Sequence, residues 1–203
     1  MEKFLEKQRV PYLPKGLNEY SLVIAPAGEV YDRVMEEKRY FCLRYDQPGA
    51  VIDKPRIAVA DFRAWDSMEG ALIHRLEQVF REVRSFQVNL NNFSGAPPHT
   101  VFIRVQDPQP LRELASRLGV IAPYIKEKEA GGNETGNRAH VAVARELPPL
   151  VYEHAIREYA QKDFSAAFEV TELVLLRRQG QRESCQQVSV FRLRSREPEQ
   201  SKN

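Results

Sequence analysis

A five-residue pattern that occurs twice constrains the fold more than any other feature of the chain. His140-Val141-Ala142-Val143-Ala144 echoes Arg56-Ile57-Ala58-Val59-Ala60. Each copy has the small and β-branched residues of a short strand, set between a polar loop and a helical pattern. Strand alternation sends residues i, i+2 and i+4 to one face. Arg56, Ala58 and Ala60 are therefore expected on one face, and His140, Ala142 and Ala144 on the corresponding one. Ile57 and Val59, like Val141 and Val143, belong to a core. Two related strands, each with a polar residue heading a small-residue face, predict a cleft floor built by duplication.

The flanking sequence repeats in the same order. The first half reads as a strand over 18–26 and a helix over 28–45 with the stripe Val30, Val34, Phe41 and Tyr45. The motif strand 56–62 follows, then a helix over 67–83 with the stripe Met68, Leu72, Leu76, Val79 and Val83, and an alternating strand over 86–90. Asp66 and Glu69 have the spacing of a capping box at the start of that second helix. The second half reads as a strand over 100–105, a helix over 110–118, the motif strand 139–145, and a helix opened by Pro148-Pro149. One long strand from Phe168 to Arg178, a hairpin around Gly180 and a strand over 187–193 complete it. The interval from Arg56 to Phe86-Gln87-Val88 nearly equals that from His140 to Phe168-Glu169-Val170, which pairs the two Phe-x-Val segments as equivalents. The expected fold class is α+β: a bilobal, pseudo-two-fold duplication whose two antiparallel-type sheets face a central cleft with helices outside. Residues 18–98 form the first repeat and 99–193 the second, together a single structural domain. An irregular lead-in over 1–17 and a flexible tail over 194–203 flank it.

Composition narrows the function classes only slightly. Thirty Lys and Arg against 28 Asp and Glu leave a net charge of +2 on 203 residues, too little to imply a polyanion partner without a local basic cleft. No apolar run approaches the ~20 residues of a membrane span, and the N-terminus lacks the apolar segment of a signal peptide. Cys42 and Cys185 lack metal-ligand spacing, and Cys42 falls on a helical stripe, as a buried thiol in a reducing compartment would. These features predict a cytoplasmic protein.

Lys54-Pro55-Arg56-Ile57-Ala58 and Ala139-His140-Val141-Ala142-Val143-Ala144-Arg145, together with Asn91-Asn92-Phe93-Ser94-Gly95 and Pro97-Pro98-His99-Thr100-Val101, resemble a bacterial branch of the two-histidine phosphoesterase superfamily. That superfamily includes the 2′-5′ RNA ligase-like proteins and cyclic phosphodiesterases. The resemblance spans about residues 18–193. It implies two lobes, each giving a His-x-Thr or His-x-Ser strand to a central cleft. There one His acts as general base, the other as general acid on a phosphodiester, and the two hydroxyls hold the phosphate.

At three of those four positions this chain departs from the pattern: Arg56 stands for His, Ala58 for Thr and Ala142 for Thr. Only His140 is kept. Arginine does not exchange protons near neutrality, and general acid–base help is worth about 10²–10⁴-fold, so the two-histidine mechanism is expected to be impaired. Arginine remains a good phosphate ligand through its planar fork.

The candidate residues follow from this. His140 is the retained, ligand-facing catalytic position, or the vestige of one. Arg56 and Arg104 are candidate phosphate ligands, although Arg56 fits equally well in an ion pair. Phe102 and Arg104 alternate against Val101, Ile103 and Val105, so they face the cleft if the valines face the helices. Phe102 then either stacks on a base or fills the groove. Ala58 and Ala142 mark the missing hydroxyls. His99-Thr100 places its hydroxyl on the opposite side of the strand from the imidazole, and His74 and His154 read as surface or packing residues. Gly131-Gly132-Asn133-Glu134-Thr135-Gly136 lacks the ending of a phosphate loop and reads as a mobile loop or flap beside the second motif. No metal ligand set is present around His140 and no cofactor is expected.

Three readings of function remain. In the first, the protein binds a phosphate-bearing ligand, a nucleotide or RNA end, in the inter-lobe cleft with impaired catalysis. In the second, it is an active phosphoesterase that hydrolyses 2′,3′-cyclic or 2′-5′ phosphodiesters through His140 and a substitute acid. In the third, it is a structural or interaction protein whose cleft is filled by its own side chains.

Overall fold

The computed structural model describes residues 14–96, 99–128, 139–179 and 184–195. Its elements run β1 (Leu17–Ile24), α1 (Gly28–Tyr45), α2 (Gly49–Ile52), β2 (Ile57–Trp65), α3 (Glu69–Phe80), β3 (Phe86–Ala96), β4 (Thr100–Val105), α4 (Gln109–Arg117), β5 (Glu127–Lys128), β6 (His140–Ala144), α5 (Pro149–Tyr159), β7 (Ser165–Val170), β8 (Glu172–Arg178) and β9 (Gln186–Arg192). Two 3₁₀ turns, Asp66–Met68 and Leu118–Tyr124, precede α3 and follow α4.

The strands form two sheets, a five-stranded one in the order β5-β2-β1-β8-β9 and a four-stranded one in the order β6-β4-β3-β7. Every strand pairing is antiparallel. With the two-residue edge strand β5 set aside, the orders match position by position: β2 with β6, β1 with β4, β8 with β3, β9 with β7. This is the α+β, pseudo-two-fold architecture expected from the repeated pattern.

Helices cover one face of each sheet. Leu72, Leu76 and Phe80 of α3 are buried, and Phe80 lies 5.2 Å from Phe191 of β9. Phe41 of α1 and Phe93 of β3 both pack on Tyr159 of α5, at 5.7 and 4.8 Å between ring centroids. Each helical stripe therefore buries its aromatic residues against one sheet, and among the described residues no helix lies on the opposite face of either sheet.

The sheets do not coincide with halves of the sequence. Strand β3 joins β4, β6 and β7, while β8 and β9 join β1 and β2. Phe86-Gln87-Val88 and Phe168-Glu169-Val170, read above as equivalents, are instead cross-strand neighbours, Phe86 opposite Val170 and Val88 opposite Phe168. The expected long strand from Phe168 to Arg178 breaks at Thr171, where the chain passes from one sheet to the other. Spacing alone could not separate two equivalent strands from two paired ones, because both carry the same alternation.

The capping box is also not formed. Asp66 Oδ1 accepts a bond from the Ser67 N–H at 2.7 Å, but Glu69 turns away to accept bonds from the Tyr20 hydroxyl at 2.9 Å and from Arg177 Nη1 at 3.0 Å. A tertiary ion pair outcompetes the local cap. The hairpin turn at Gly180, the flap expected at 131–136 and most of the tail lie outside the described residues.

Packing of α5 against β3 is close enough to require glycine. A Cβ at Gly95 would sit inside contact distance of the Tyr152 hydroxyl and 2.8 Å from Ile156 Cδ1. Gly95→Ala is expected to cost about 1–3 kcal/mol. For a chain of this length that lowers the melting temperature by roughly 3–10 °C, measurable by thermal unfolding followed by circular dichroism.

Candidate functional site

The two motif strands share a local irregularity that their sequence similarity did not announce. In β2, Ala58 pairs with Val23 and Ala60 with Leu22, so Val59 is an extra residue, a β-bulge. In β6, Ala142 pairs with Phe102 and Ala144 with Val101, so Val143 is the extra residue. The bulge falls on the fourth residue of both copies.

Its consequence corrects the facing expected from strict alternation. Residues directly opposite in an antiparallel pair share a face. Ile57 pairs with the buried Ile24 and Ala60 with the buried Leu22, so both point to the core. Ala58 points the other way, toward the open face. Likewise Val141 and Ala144 share the core face with Ile103 and Val101, whereas His140 and Ala142 share the open face with Arg104 and Phe102. Ala60 and Ala144 are therefore not part of the cleft floor; the extra residue reverses the alternation.

On the open face of the four-stranded sheet, His140, Ala142, Phe102 and Arg104 come together. The imidazole of His140 lies over the Phe102 ring, with centroids 4.5 Å apart and planes inclined by 40°. Phe102 is 3% exposed, and the His140 ring covers part of it. Arg104 is exposed, and its Nε donates to the Asn91 carbonyl at 3.2 Å.

Arg56 and Ala58 lie on the other sheet, whose strand β2 packs against β6. Arg56 immediately precedes β2. Its Nη2 stands 3.6 Å from Asp53 Oδ1, a local pairing within the loop rather than one across the cleft. With its carboxylate partner on the same loop, Arg56 is engaged locally. Ala58 is exposed.

Three further groups, which sequence reading did not single out, lie on or against the motif strands and their neighbours. Lys38 of α1 is 2% exposed, and its Nζ donates to the carbonyls of Ala142 at 3.0 Å and Val143 at 3.1 Å. These are the carbonyls flanking the second-motif bulge, on the edge of β6 that has no strand partner. Burial pushes the Lys38 ammonium down to about 8, opposed by Asp53 and reinforced by Arg145 and Arg56. On the open face of the five-stranded sheet, Glu19 of β1 accepts bonds from Arg63 Nη2 at 3.1 Å and Arg178 Nε at 2.9 Å. Burial alone would raise the Glu19 carboxyl, but the bonds from Arg178 and Arg63 outweigh it and hold it below the ordinary carboxylate value. Beside them the Ser21 hydroxyl donates to Asp61 Oδ1 at 2.5 Å.

Signals for these residues existed. Lys38 sits on the same helical stripe as Val34 and Phe41, a polar interruption of an apolar face. Glu19 and Ser21 alternate with Tyr20 and Leu22, which marks them as the other face of β1.

The remaining histidines take no part in the site. His99 packs on Tyr152 at 5.1 Å, and His74 bonds Gln78 at 3.0 Å. His154 projects from α5 and is exposed. Cys42 and Cys185 are free thiols. Among the described residues no three His, Cys, Asp or Glu side chains are grouped to hold a metal ion, and no helix is long and apolar enough to cross a membrane.

Chemically, the site offers one imidazole, the exposed Arg104 guanidinium beside it, and no hydroxyl at Ala58 or Ala142.

Comparison with known proteins agrees with the fold. No curated protein sequence matches the chain. Among solved structures, E. coli LigT in complex with 3′-AMP is 14% identical, with 87% of this chain and 98% of LigT covered at a TM-score of 0.60. The protein TT0787 of Thermus thermophilus is 15% identical, with 88% of this chain and all 100% of that one covered at a TM-score of 0.57. A further solved phosphoesterase is 15% identical at a TM-score of 0.59, with 87% and 98% covered. At these identities the similarity speaks for the fold alone. The sequence itself goes further: the model of the 2′-5′ RNA ligase superfamily matches residues 36–182, most of the chain and both motif strands, and the protein belongs to that superfamily.

Proposed function

We propose that this protein binds a phosphate-bearing ligand, a nucleotide or an RNA end, between its two sheets, and that its two-histidine catalysis is impaired. The observation that carries the reading is the asymmetry of the two motifs. The second keeps His140 on the open face, stacked on Phe102 and beside Arg104. The first offers Arg56, which is paired with Asp53 and cannot serve as a proton donor or acceptor near neutrality. Structures of E. coli LigT hold 3′-AMP, NADP+, ATP and phosphate, which supports a nucleotide-type ligand for this fold.

In this reading Arg104 donates to phosphate oxygens, His140 donates a further bond when protonated, and Arg56 swings from Asp53 to complete the charge. Phosphate makes charge-assisted bonds to guanidinium about twice as strong as neutral ones. The buried ring of Phe102 favours a second reading, in which the cleft is closed by its own side chains.

Isothermal titration with adenosine 2′-monophosphate and with adenosine 2′,3′-cyclic phosphate, alongside a hydrolysis assay on the cyclic compound, separates the readings. Binding without turnover, weakened about ten-fold or more in Arg104→Ala, is the expected result. Turnover that vanishes in His140→Ala establishes an active phosphoesterase instead. Absence of binding to either nucleotide overturns the proposal in favour of a filled cleft.

A further inference from the structure

The open face of the four-stranded sheet continues past the His140–Arg104 pair. On β3, the alternation that buries Val88 and Leu90 turns Gln87, Asn89 and Asn91 to the same face as Arg104. Asn91 stands between Arg104 of β4 and Ser165 of β7. Asn89 stands opposite Ala167, and Gln87 opposite Glu169. Gln87 and Asn89 are exposed, Asn91 is half-buried, and no hydrogen bond ties the three side-chain amides to other described residues.

Three amides at i, i+2 and i+4 of one strand are an unusual use of an uncovered sheet face, since Asn is depleted in strands. Each amide carries both donors and an acceptor, the combination that matches the hydrogen-bonding edge of a nucleobase. Successive amides are about 6.6–6.8 Å apart along the strand. That is roughly twice the ~3.4 Å step of a stacked strand, so the spacing suits bases splayed apart rather than stacked. Beside the row, Ser165 and Ala167 keep the surface low enough for a backbone to pass. Charge gives the strip a direction. The Arg104 guanidinium lies at the end next to His140, while at the other end Glu169 is capped by the Ser85 hydroxyl at 2.6 Å. A phosphate is favoured at the first end.

We propose that Gln87, Asn89 and Asn91 read the bases of a single-stranded oligonucleotide whose terminal phosphate sits at Arg104 and His140. This rests on the phosphate-binding reading above and adds to it three specificity-determining residues. The strand runs along β3 from Gln87 to Asn91 and ends at the cleft.

The test compares two probes, a 5′-fluorescein-labelled ribonucleotide oligomer of about four residues ending in a 2′-phosphate, and adenosine 2′-monophosphate. Native protein, Gln87→Ala/Asn89→Ala, and the same pair with Asn91→Ala are titrated after their melting curves are matched. The double variant changes only exposed side chains and guards against a folding defect. Native protein is expected to bind the oligomer at least about ten-fold more tightly than the mononucleotide, and the variants to lose that advantage while mononucleotide affinity stays within about two-fold. Equal affinity of native protein for the two probes overturns the amide strip and leaves the phosphate site standing. An oligomer advantage that survives in both variants overturns the assignment of these residues. If native protein binds neither probe, the phosphate reading fails and the strip fails with it.

Discussion

Raising the pH from about 8 to about 10 is expected to stabilise this protein, and Lys38→Met is expected to abolish that rise. The folded-state value for Lys38 is about 8, lowered chiefly by burial, against an unfolded value near 10.4. Between those values the unfolded chain binds more protons, so stability increases with pH. Below about pH 8 the whole cost of burying the ammonium is present. It is relieved as the folded protein sheds the proton, by about 3 kcal/mol at most. Above about pH 10 the sign reverses because of the tyrosines. Burial raises Tyr20 to about 12, and burial likewise pushes Tyr45 and Tyr159 upward. Those phenols ionise first in the unfolded chain, which favours unfolding. Urea titrations across pH 7–11 should therefore show a maximum near pH 10. In Lys38→Met the rising limb disappears and the falling limb remains. At pH 7 the variant loses two charge-assisted bonds to the Ala142 and Val143 carbonyls while escaping the burial cost. The net is a loss of about 1–3 kcal/mol, because those two carbonyls lose the Lys38 donor and methionine offers none in its place. A flat profile in native protein between pH 8 and 10 would mean that the ammonium is better solvated than its 2% exposure implies.

The same lysine shows where the sequence could and could not be read. The repeated pattern at Arg56 and His140 exposed the duplication, because identical strand chemistry at two places survives the loss of other similarity. It also led to the class of fold, since strand–helix–strand units with apolar stripes have few ways to bury them. The pattern could not reveal that the fourth residue of each copy is a bulge. Val59 and Val143 look like ordinary core valines, and a bulge is decided by the partner strands β1 and β4, which lie far away in sequence. The exchange of β3 and β8 between sheets was hidden for a related reason. Phe86-Gln87-Val88 and Phe168-Glu169-Val170 alternate identically whether they are equivalent or paired. At the site, His140, Phe102 and Arg104 could be placed on one face from alternation alone. Arg56 was ambiguous because its partner, Asp53, lies in a loop whose conformation no periodicity describes. Lys38 was legible only as an interruption of a stripe. Its role depends on the unpaired edge of β6, a property of the sheet rather than of the helix that carries it.

Restoring the missing groups, Arg56→His with Ala58→Thr and Ala142→Thr, is expected to raise hydrolysis of an RNA ending in a 2′,3′-cyclic phosphate by about 10²–10⁴-fold over native protein. The gain has two separable parts. Arg56→His replaces a group that stays protonated with one that titrates near neutrality, giving His140 a partner for proton transfer. The rate of the restored protein should then follow a bell-shaped pH profile that native protein lacks. The threonines supply hydroxyl donors to the phosphate, and here the two positions differ. Ala58 is exposed on the open face, so a hydroxyl fits without displacing a neighbour. Ala142 is 9% exposed and pairs directly with Phe102, whose ring already lies under His140. A threonine there crowds that ring at a cost of about 1–3 kcal/mol. Ala142→Thr alone should therefore lower the melting temperature, whereas Ala58→Thr alone should leave it nearly unchanged. The pair Arg56→His/Ala58→Thr should already gain activity. Adding His140→Ala to the restored protein should return it to the native rate, because one imidazole cannot act as both acid and base in a single step. If native protein proves as fast as the restored one, Arg56 is no impairment, and an acid elsewhere on the open faces, with Asp61 of β2 the first to substitute, completes the chemistry with His140.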